Sequence, residues 1–124
     1  QPGIPQLEAL VEQVTRAGLP ARLSVEGAAR PVEGTVDVTA YRVAQEALTN
    51  VIKHAGDVTR VDVVLRYRDD ALELLVRDDG RGGDAAGQGF GLTGMAERVG
   101  LHGGELAASP CDGGGFAVRA VIPA

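Results

Sequence analysis

The sequence contains few aromatic residues, a single cysteine and no long apolar run. Phe, Tyr and Trp together make up 3% of its 124 residues and Trp is absent, so we expect a core of Val, Leu, Ile and Ala. One cysteine, Cys111, excludes an intramolecular disulfide and indicates a reducing compartment. No apolar run approaches the ~18 residues of a membrane-spanning helix, and the first residues do not resemble a signal peptide. The sequence therefore predicts a soluble, cytoplasmic domain.

Acidic residues outnumber basic ones, with 17 Asp and Glu against 12 Lys and Arg, which gives a formal net charge of −5. General nucleic-acid binding needs a basic surface, so this balance argues against it. A phosphate ligand held by backbone amides and Mg²⁺ stays possible. The apolar share of 44% and the charged share of 23% are typical of a globular protein, and the length fits one domain.

Helical and strand periodicities alternate along the chain. A short helix and a strand come before a long helix, which is followed by a strand hairpin, a glycine-rich loop, a third helix and two strands. The predicted helices are at residues 5–18, 37–55 and 92–99, and the predicted strands are at residues 21–26, 60–67, 71–77, 105–108 and 116–122. This order predicts an α/β (α+β) two-layer sandwich, in which three helices cover one face of a mixed sheet of about five strands.

The long predicted helix has one polar and one apolar face. At about 3.6 residues per turn, its polar face carries an acid, an amide and two potential cations, namely Glu46, Asn50, Lys53 and His54. Its apolar face carries Ala44, Ala47, Leu48, Val51 and Ile52. Many polar faces are only solvated, but Mg²⁺ would explain this mixture, because it takes one or two protein oxygens together with phosphates and waters. Asn50 could ligate the ion, and Glu46 could hold a coordinated water or act as a base.

A second candidate site follows the strand at residues 71–77. Asp78 stands directly before Gly80 and Gly82, and glycines let the backbone approach a flat ligand closely. An ionised carboxylate there can accept a hydrogen bond from an exocyclic amine, an interaction worth roughly 1.5–3 kcal/mol. Asp-Gly pairs on their own more often form simple turns, so this motif indicates a binding site only in combination with other motifs.

The third candidate is the stretch from Gly89 to Gly94, which matches the pattern G-x-G-x-x-G. A dinucleotide-binding fold would need a strand running directly into this pattern and an acid about 20 residues later. The sequence meets neither condition. A helix does begin after Gly91, so the backbone amides at its N-terminus could bind phosphate.

In order and spacing, the three sites resemble the N, G1 and G2 boxes of the GHKL ATPases, which include gyrase, heat-shock chaperone, histidine kinase and mismatch-repair proteins. Residues 46–55 resemble the histidine-kinase form of the N box, and residues 78–82 resemble the G1 box. Residues 89–95 resemble the G2 box of the nitrate-sensor and lipid-fluidity-sensor subfamily of two-component kinases, and residues 83–88 its short ATP lid. The resemblance covers roughly residues 36–123.

The resemblance implies a role for each matching residue. Asp78 would bind the adenine amine, Asn50 would ligate Mg²⁺, and Glu46 would be the base or hold Mg²⁺ through a water. Lys53 would share the catalytic role with Glu46 and Asn50. The residues implied to contact the nucleotide, mainly at its phosphates, are Lys53, His54, Gly80, Gly82, Gly89, Phe90, Gly91, Leu92 and Thr93.

The resemblance also implies a reaction and partners. The domain would transfer the γ-phosphate of ATP to a histidine on a separate upstream dimerisation domain, absent from this chain, for relay to a response regulator. We expect the fragment to be monomeric, the full-length protein to be a homodimer, and the domain to be cytoplasmic, whether or not the full protein is a membrane-bound sensor. His54 is not expected to be the phospho-acceptor, because in the family that histidine lies upstream.

At one position the sequence departs from the family pattern. Members usually have Thr after the C-terminal glycines, near the adenine, whereas here Phe116 follows three glycines, and we expect Phe116 to pack there instead. Two alternative functions stay open. One is an anti-sigma-factor-type serine kinase, which shares the fold, and the other is a non-catalytic nucleotide-binding module.

Overall fold

The structure, a computed structural model, describes residues 2–80 and 91–124. Its helices are α1 (Leu7–Arg16), which follows a 3-10 turn at Ile4–Gln6, α2 (Gly34–His54) and α3 (Leu92–Gly100). Its strands are β1 (Ala21–Glu26), β2 (Val61–Tyr67), β3 (Ala71–Asp78), β4 (Glu105–Pro110) and β5 (Phe116–Pro123). None of the helices in these two ranges is long and apolar enough to cross a membrane.

The strands form one mixed sheet in the order β1-β2-β3-β5-β4. β1 and β2 are parallel, because α2 carries the chain back between them, and the other neighbouring strands are antiparallel. The helices pack beside one another on one face of this sheet. The predicted order of elements and the two-layer sandwich are thus confirmed.

Small and branched aliphatic side chains fill the space between α2 and the sheet. Ala40 and Ala44 of α2 are fully buried, as are Leu72 and Leu74 of β3. Among the described residues, the largest fully buried side chains are those of Leu, Met, Ile and Val, as expected from the scarcity of aromatic residues. Because its apolar side is held against the sheet, α2 must turn its polar side outward.

Two details predicted for the long helix are wrong. The helix begins at Gly34, since its first hydrogen bond runs from the N–H of Asp37 to the carbonyl of Glu33 (2.9 Å). Asp37, where the predicted helix began, lies in the first turn of α2, and its carboxylate accepts a hydrogen bond from the N–H of Ile4 (2.8 Å). Ile52, expected on the apolar face, is 56% exposed, because at about 100° per residue it falls at the margin of the buried stripe.

The face of the sheet opposite the helices carries a buried acid surrounded by arginines. Glu73 in β3 is 4% exposed, and it pairs with Arg66 (3.0 Å), Arg68 (3.6 Å) and Arg119. Burial alone would raise the pKa of Glu73, but hydrogen bonds and charge from Arg119 and Arg66 outweigh it and lower the pKa below its ordinary value. Because Arg66 and Arg119 belong to the strands on either side, this carboxylate ties β2, β3 and β5 together.

Replacing Glu73 by glutamine should lower the free energy of unfolding at pH 7 by about 1–2 kcal/mol, because the carboxylate loses its charge-assisted hydrogen bonds with the arginines. The loss is limited because the arginine side chains are half-exposed and can be solvated. A lowered folded-state pKa means that the stabilisation is fully present above the unfolded-state pKa of about 4.3 and is lost as the pH falls through the folded-state value. Urea unfolding should therefore show the difference between variant and wild type shrinking below about pH 4.

The matched control is Asp62→Asn, which removes the exposed ion pair with Arg60 (2.9 Å) on the same face and should cost less than about 1 kcal/mol. A Glu73→Gln penalty that stays constant on acidification would show that the carboxylate charge does not stabilise the sheet.

Candidate nucleotide-binding site

The polar face of α2 lines an open depression on the surface of the protein. Glu46, Asn50, Lys53 and His54 lie along it, and Gly91 closes one end. The volume is about 410 Å³, within the range of roughly 300–1,000 Å³ that is usual for small-molecule sites. The four side chains that the sequence placed on one helical face are thus brought together at one surface.

Gly91 places the N-terminus of α3 at the Glu46 end of this depression. It directly precedes α3 and has a φ of 80°, a left-handed conformation that favours glycine. A Cβ atom at Gly91 would also collide with Oε2 of Glu46. Leu92 and Thr93 follow in the first turn of α3, where backbone amides lack intrahelical partners and can bind an anion.

Asp78 is the last residue of β3 and is only 4% exposed. Its carboxylate accepts hydrogen bonds from the backbone N–H groups of Gly80 (2.8 Å) and Phe116. Burial raises the pKa of Asp78 above its ordinary value, helped by the charge of Asp79, and the two amides offset this only in part. Since a carboxylate offers about four lone-pair positions, it keeps acceptor capacity for a donor on a ligand.

Gly80 brings the Asp78 segment against the C-terminal end of α2. A Cβ atom at Gly80 would lie 2.5 Å from the carbonyl oxygen of Ala55, so the segment lies directly against the end of α2. Glu46 and Ala55 are about 13 Å apart along the helix axis. The segment that carries Asp78 therefore lies at the C-terminal end of α2, and the N-terminus of α3 lies beside Glu46.

Some of the predicted site residues fall outside the described ranges. These are Gly82, Gly89 and Phe90, together with the lid predicted at residues 83–88. Their contacts with a nucleotide stay predictions.

The residues of the depression fit Mg²⁺ and a nucleoside triphosphate. Glu46 and Asn50 offer a carboxylate and an amide oxygen, the donor types that Mg²⁺ prefers. Lys53 and His54 lie one turn further along the helix, where cationic side chains can face phosphate oxygens. Because Gly91 has no side chain, its backbone can approach a phosphate closely.

A family model described as "Histidine kinase-, DNA gyrase B-, and HSP90-like ATPase" matches residues 35–124. The chain belongs to this family. The sequence resemblance to GHKL ATPases is thereby confirmed.

Several curated relatives of this ATPase domain are sensor histidine kinases. The sensor histidine kinase YxjM of Bacillus subtilis is 36% identical over 123 residues, which cover 98% of this chain and 30% of the relative. LnrJ, from the same organism, is 33% identical over 118 residues, covering 94% of this chain and 29% of the relative. The chain thus spans about 30% of the length of these two kinases.

Solved structures of histidine kinases share the fold. The ATP-binding domain of PrrB from Mycobacterium tuberculosis superimposes with a TM-score of 0.68 at 20% identity, covering 96% of this chain and 91% of that one. A blue-light-activated histidine kinase of Erythrobacter litoralis gives a TM-score of 0.75 at 21% identity, covering 99% of this chain and 45% of that one. These values show that the chain has the fold of histidine-kinase ATPase domains.

Two contacts of the candidate site have no local signal in the sequence. Phe116 lies opposite Asp78 in the pairing of β3 with β5, which accounts for its backbone hydrogen bond to the carboxylate. Its contact with adenine stays a prediction. Arg98 of α3 forms an ion pair with Glu46 of α2 (3.5 Å). In each contact the two residues come from distant parts of the chain, so the spacing of residues within one helix or strand could not predict either contact.

Replacing Gly80 by alanine should weaken ATP binding by this domain about tenfold or more, because the added Cβ would displace the segment that orients Asp78. Calorimetric titration with ATP measures the change. The matched control is Gly100→Ala in α3, where a Cβ would meet no atom within 4 Å and the affinity should not change. Wild-type affinity in Gly80→Ala would mean that the contact with Ala55 does not position Asp78.

Proposed function

We propose that this chain is the ATP-binding catalytic domain of a sensor histidine kinase, which transfers the γ-phosphate of ATP to a histidine on a separate dimerisation domain. The observation that carries the proposal is the arrangement along α2. One face presents an acid, an amide and two potential cations (Glu46, Asn50, Lys53 and His54) beside the helix N-terminus at Gly91, and the segment that carries the buried Asp78 lies against the C-terminal end of the same helix. Such a site suits a ligand with a base at one end and a triphosphate at the other.

The recognition step would rest on Asp78 and the segment that follows it. Its carboxylate would accept a hydrogen bond from the exocyclic amine of adenine, and Gly80 would let the backbone approach the flat base. Guanine, which has a carbonyl oxygen in place of this amine, would meet a repulsive carboxylate. The site would therefore select adenine nucleotides.

The transfer step would depend on positioning and on charge stabilisation. Asn50 would ligate Mg²⁺ and Glu46 would hold it through a water or accept the proton of the attacking group. The ion, when bound, supplies charge neutralisation to the β- and γ-phosphates. Lys53 and His54 would bind phosphate oxygens, and the first amides of α3, around Leu92 and Thr93, would hold the phosphates from the other side.

Transfer of radiolabelled phosphate from ATP tests this proposal and separates it from the alternatives. The chain is incubated with Mg²⁺, labelled ATP and the purified dimerisation domain of its parent kinase. We expect label on that domain that is lost in acid and kept in alkali, as is typical of phosphohistidine. Acid-stable label on a serine would favour the anti-sigma-factor type of kinase, and tight binding without transfer would favour the non-catalytic module.

The relatives favour the first outcome, because the two that align with nearly all of this chain are sensor histidine kinases. In that context the phosphate would pass on to a response regulator. The full-length protein would be a homodimer through its dimerisation domain, with this fragment monomeric and cytoplasmic.

A further inference from the structure

An ion pair links the two helices that border the depression. Nη1 of Arg98, in the last turn of α3, lies 3.5 Å from Oε1 of Glu46 in α2. Both side chains are partly exposed, 42% for Arg98 and 37% for Glu46. Ion pairs of this kind add little to the stability of a protein, so the contact calls for another explanation.

The second oxygen of the Glu46 carboxylate lies beside the start of α3. Oε2 lies so close to Gly91 that a Cβ atom there would collide with it. Gly91 and Arg98 lie at opposite ends of the same short helix, and helical side chains lean toward the N-terminus, which directs Arg98 back toward Glu46. One carboxylate therefore lies between the start of α3 and an arginine from its last turn.

We propose that Arg98 is a positioning residue that fixes the carboxylate of Glu46 at the phosphate end of the depression. This inference rests on the proposed function, since it assigns to Arg98 the task of orienting the group that assists transfer. Without Arg98, Glu46 could rotate away from the N-terminus of α3 into solvent. A misplaced reacting group lowers the rate, so the rate should follow the fraction of time that Glu46 spends in place.

The proposal predicts that Arg98 acts through Glu46. Arg98→Gln should lower the rate constant kcat for phosphoryl transfer about two- to fivefold, which is what the loss of one partly exposed ion pair allows, with KM for ATP unchanged. Arg98→Lys should restore most of the rate, because it keeps a cation within reach of the carboxylate. In a Glu46→Gln background, Arg98→Gln should have almost no further effect, because the group that it positions is already gone.

The matched control is Arg16→Gln, which removes an exposed arginine from the last turn of α1 and should leave transfer unchanged. A raised KM in Arg98→Gln with kcat unchanged would show that Arg98 contacts the phosphates directly, and it would overturn the proposal. Equal losses from Arg98→Gln in the wild-type and Glu46→Gln backgrounds would overturn it as well.

A second readout does not depend on transfer. The backbone amide resonance of Gly91 in a nitrogen–proton correlation spectrum should shift in Glu46→Gln and in Arg98→Gln, but not in Arg16→Gln, because Glu46 lies directly against Gly91. In the Glu46→Gln background the further shift caused by Arg98→Gln should be small. If these shifts occur but the wild type transfers no phosphate, the kinase proposal fails and the positioning of Glu46 stands. If transfer occurs and Arg98→Gln leaves Gly91 unshifted, the positioning role fails alone.

Discussion

Replacing Asp78 with asparagine is expected to weaken ATP binding about 100-fold or more, which is the largest effect on affinity that we expect from a single substitution. The carboxylate accepts hydrogen bonds from Gly80 and Phe116 and keeps acceptor capacity for the adenine amine. An asparagine has only one acceptor oxygen. Its amide group would meet the amine donor to donor, and a buried donor left unpaired costs about 1–3 kcal/mol in addition to the lost charged hydrogen bond.

Calorimetry on the two proteins measures this loss, and unfolding experiments check that the fold is kept. Burial raises the pKa of Asp78, which means that its ionised form is unfavourable in the folded protein and that its contribution to stability declines as the pH rises through the folded-state value. The neutral asparagine should therefore leave the protein about as stable as wild type at pH 7. Unchanged ATP affinity in a folded Asp78→Asn protein would refute the assignment of the adenine site.

The neighbouring Asp79 is a matched control for this experiment. Its carboxylate is exposed and accepts hydrogen bonds from the backbone N–H groups of Thr59 (2.9 Å) and Arg60 (3.1 Å). An asparagine at that position keeps an acceptor oxygen for these amides. Asp79→Asn should therefore lower the affinity by less than about fivefold, and an effect as large as that of Asp78→Asn would point to a general electrostatic cause.

Replacing Asn50 with alanine is expected to abolish the dependence of ATP binding on Mg²⁺ and to lower phosphoryl transfer about 100- to 1,000-fold. Asn50 is the amide on the polar face of α2, one turn after Glu46 and inside the same depression. Mg²⁺ takes few protein ligands and keeps its other coordination positions for phosphates and waters. The loss of one protein oxygen should therefore weaken the binding of Mg²⁺ strongly. ATP titrations with Mg²⁺ and with a chelator measure the dependence.

Two further variants make the Asn50 experiment specific. Asn50→Asp keeps an oxygen ligand and should retain a Mg²⁺ effect. Thr49→Ala changes the adjacent residue, which also lines the depression and whose hydroxyl donates to the carbonyl of Gln45 (2.9 Å), and it should behave like wild type. A Mg²⁺ effect that persists in Asn50→Ala would place the protein ligand elsewhere.

The part of the site built on one helix could be predicted from the sequence alone. Helical periodicity fixes which side chains share a face, so Glu46, Asn50, Lys53 and His54 were expected to meet and do. The wrong prediction for Ile52 also comes from helical periodicity, because a residue at the margin of the apolar stripe can be either buried or exposed. Whether such a residue is buried depends on how far the neighbouring helices and strands cover the helix. Periodicity within one helix does not predict that coverage.

Contacts between distant segments could not be predicted in the same way. The pairing of Asp78 with Phe116 depends on the register of β3 and β5, and the ion pair of Glu46 with Arg98 depends on how α3 crosses α2. The hydrogen bond from the N–H of Ile4 to the carboxylate of Asp37 also joins segments that are far apart in the sequence. Tertiary packing therefore supplied what local propensity could not.

The central claim is that the polar face of α2 and the carboxylate of Asp78 form one site for Mg²⁺ and ATP. A calorimetric titration of this chain with ATP, in the presence and in the absence of Mg²⁺, tests it most directly. We expect saturable binding of one ATP per chain, with a higher affinity in the presence of Mg²⁺. The absence of any binding up to millimolar ATP in the presence of Mg²⁺ would contradict it.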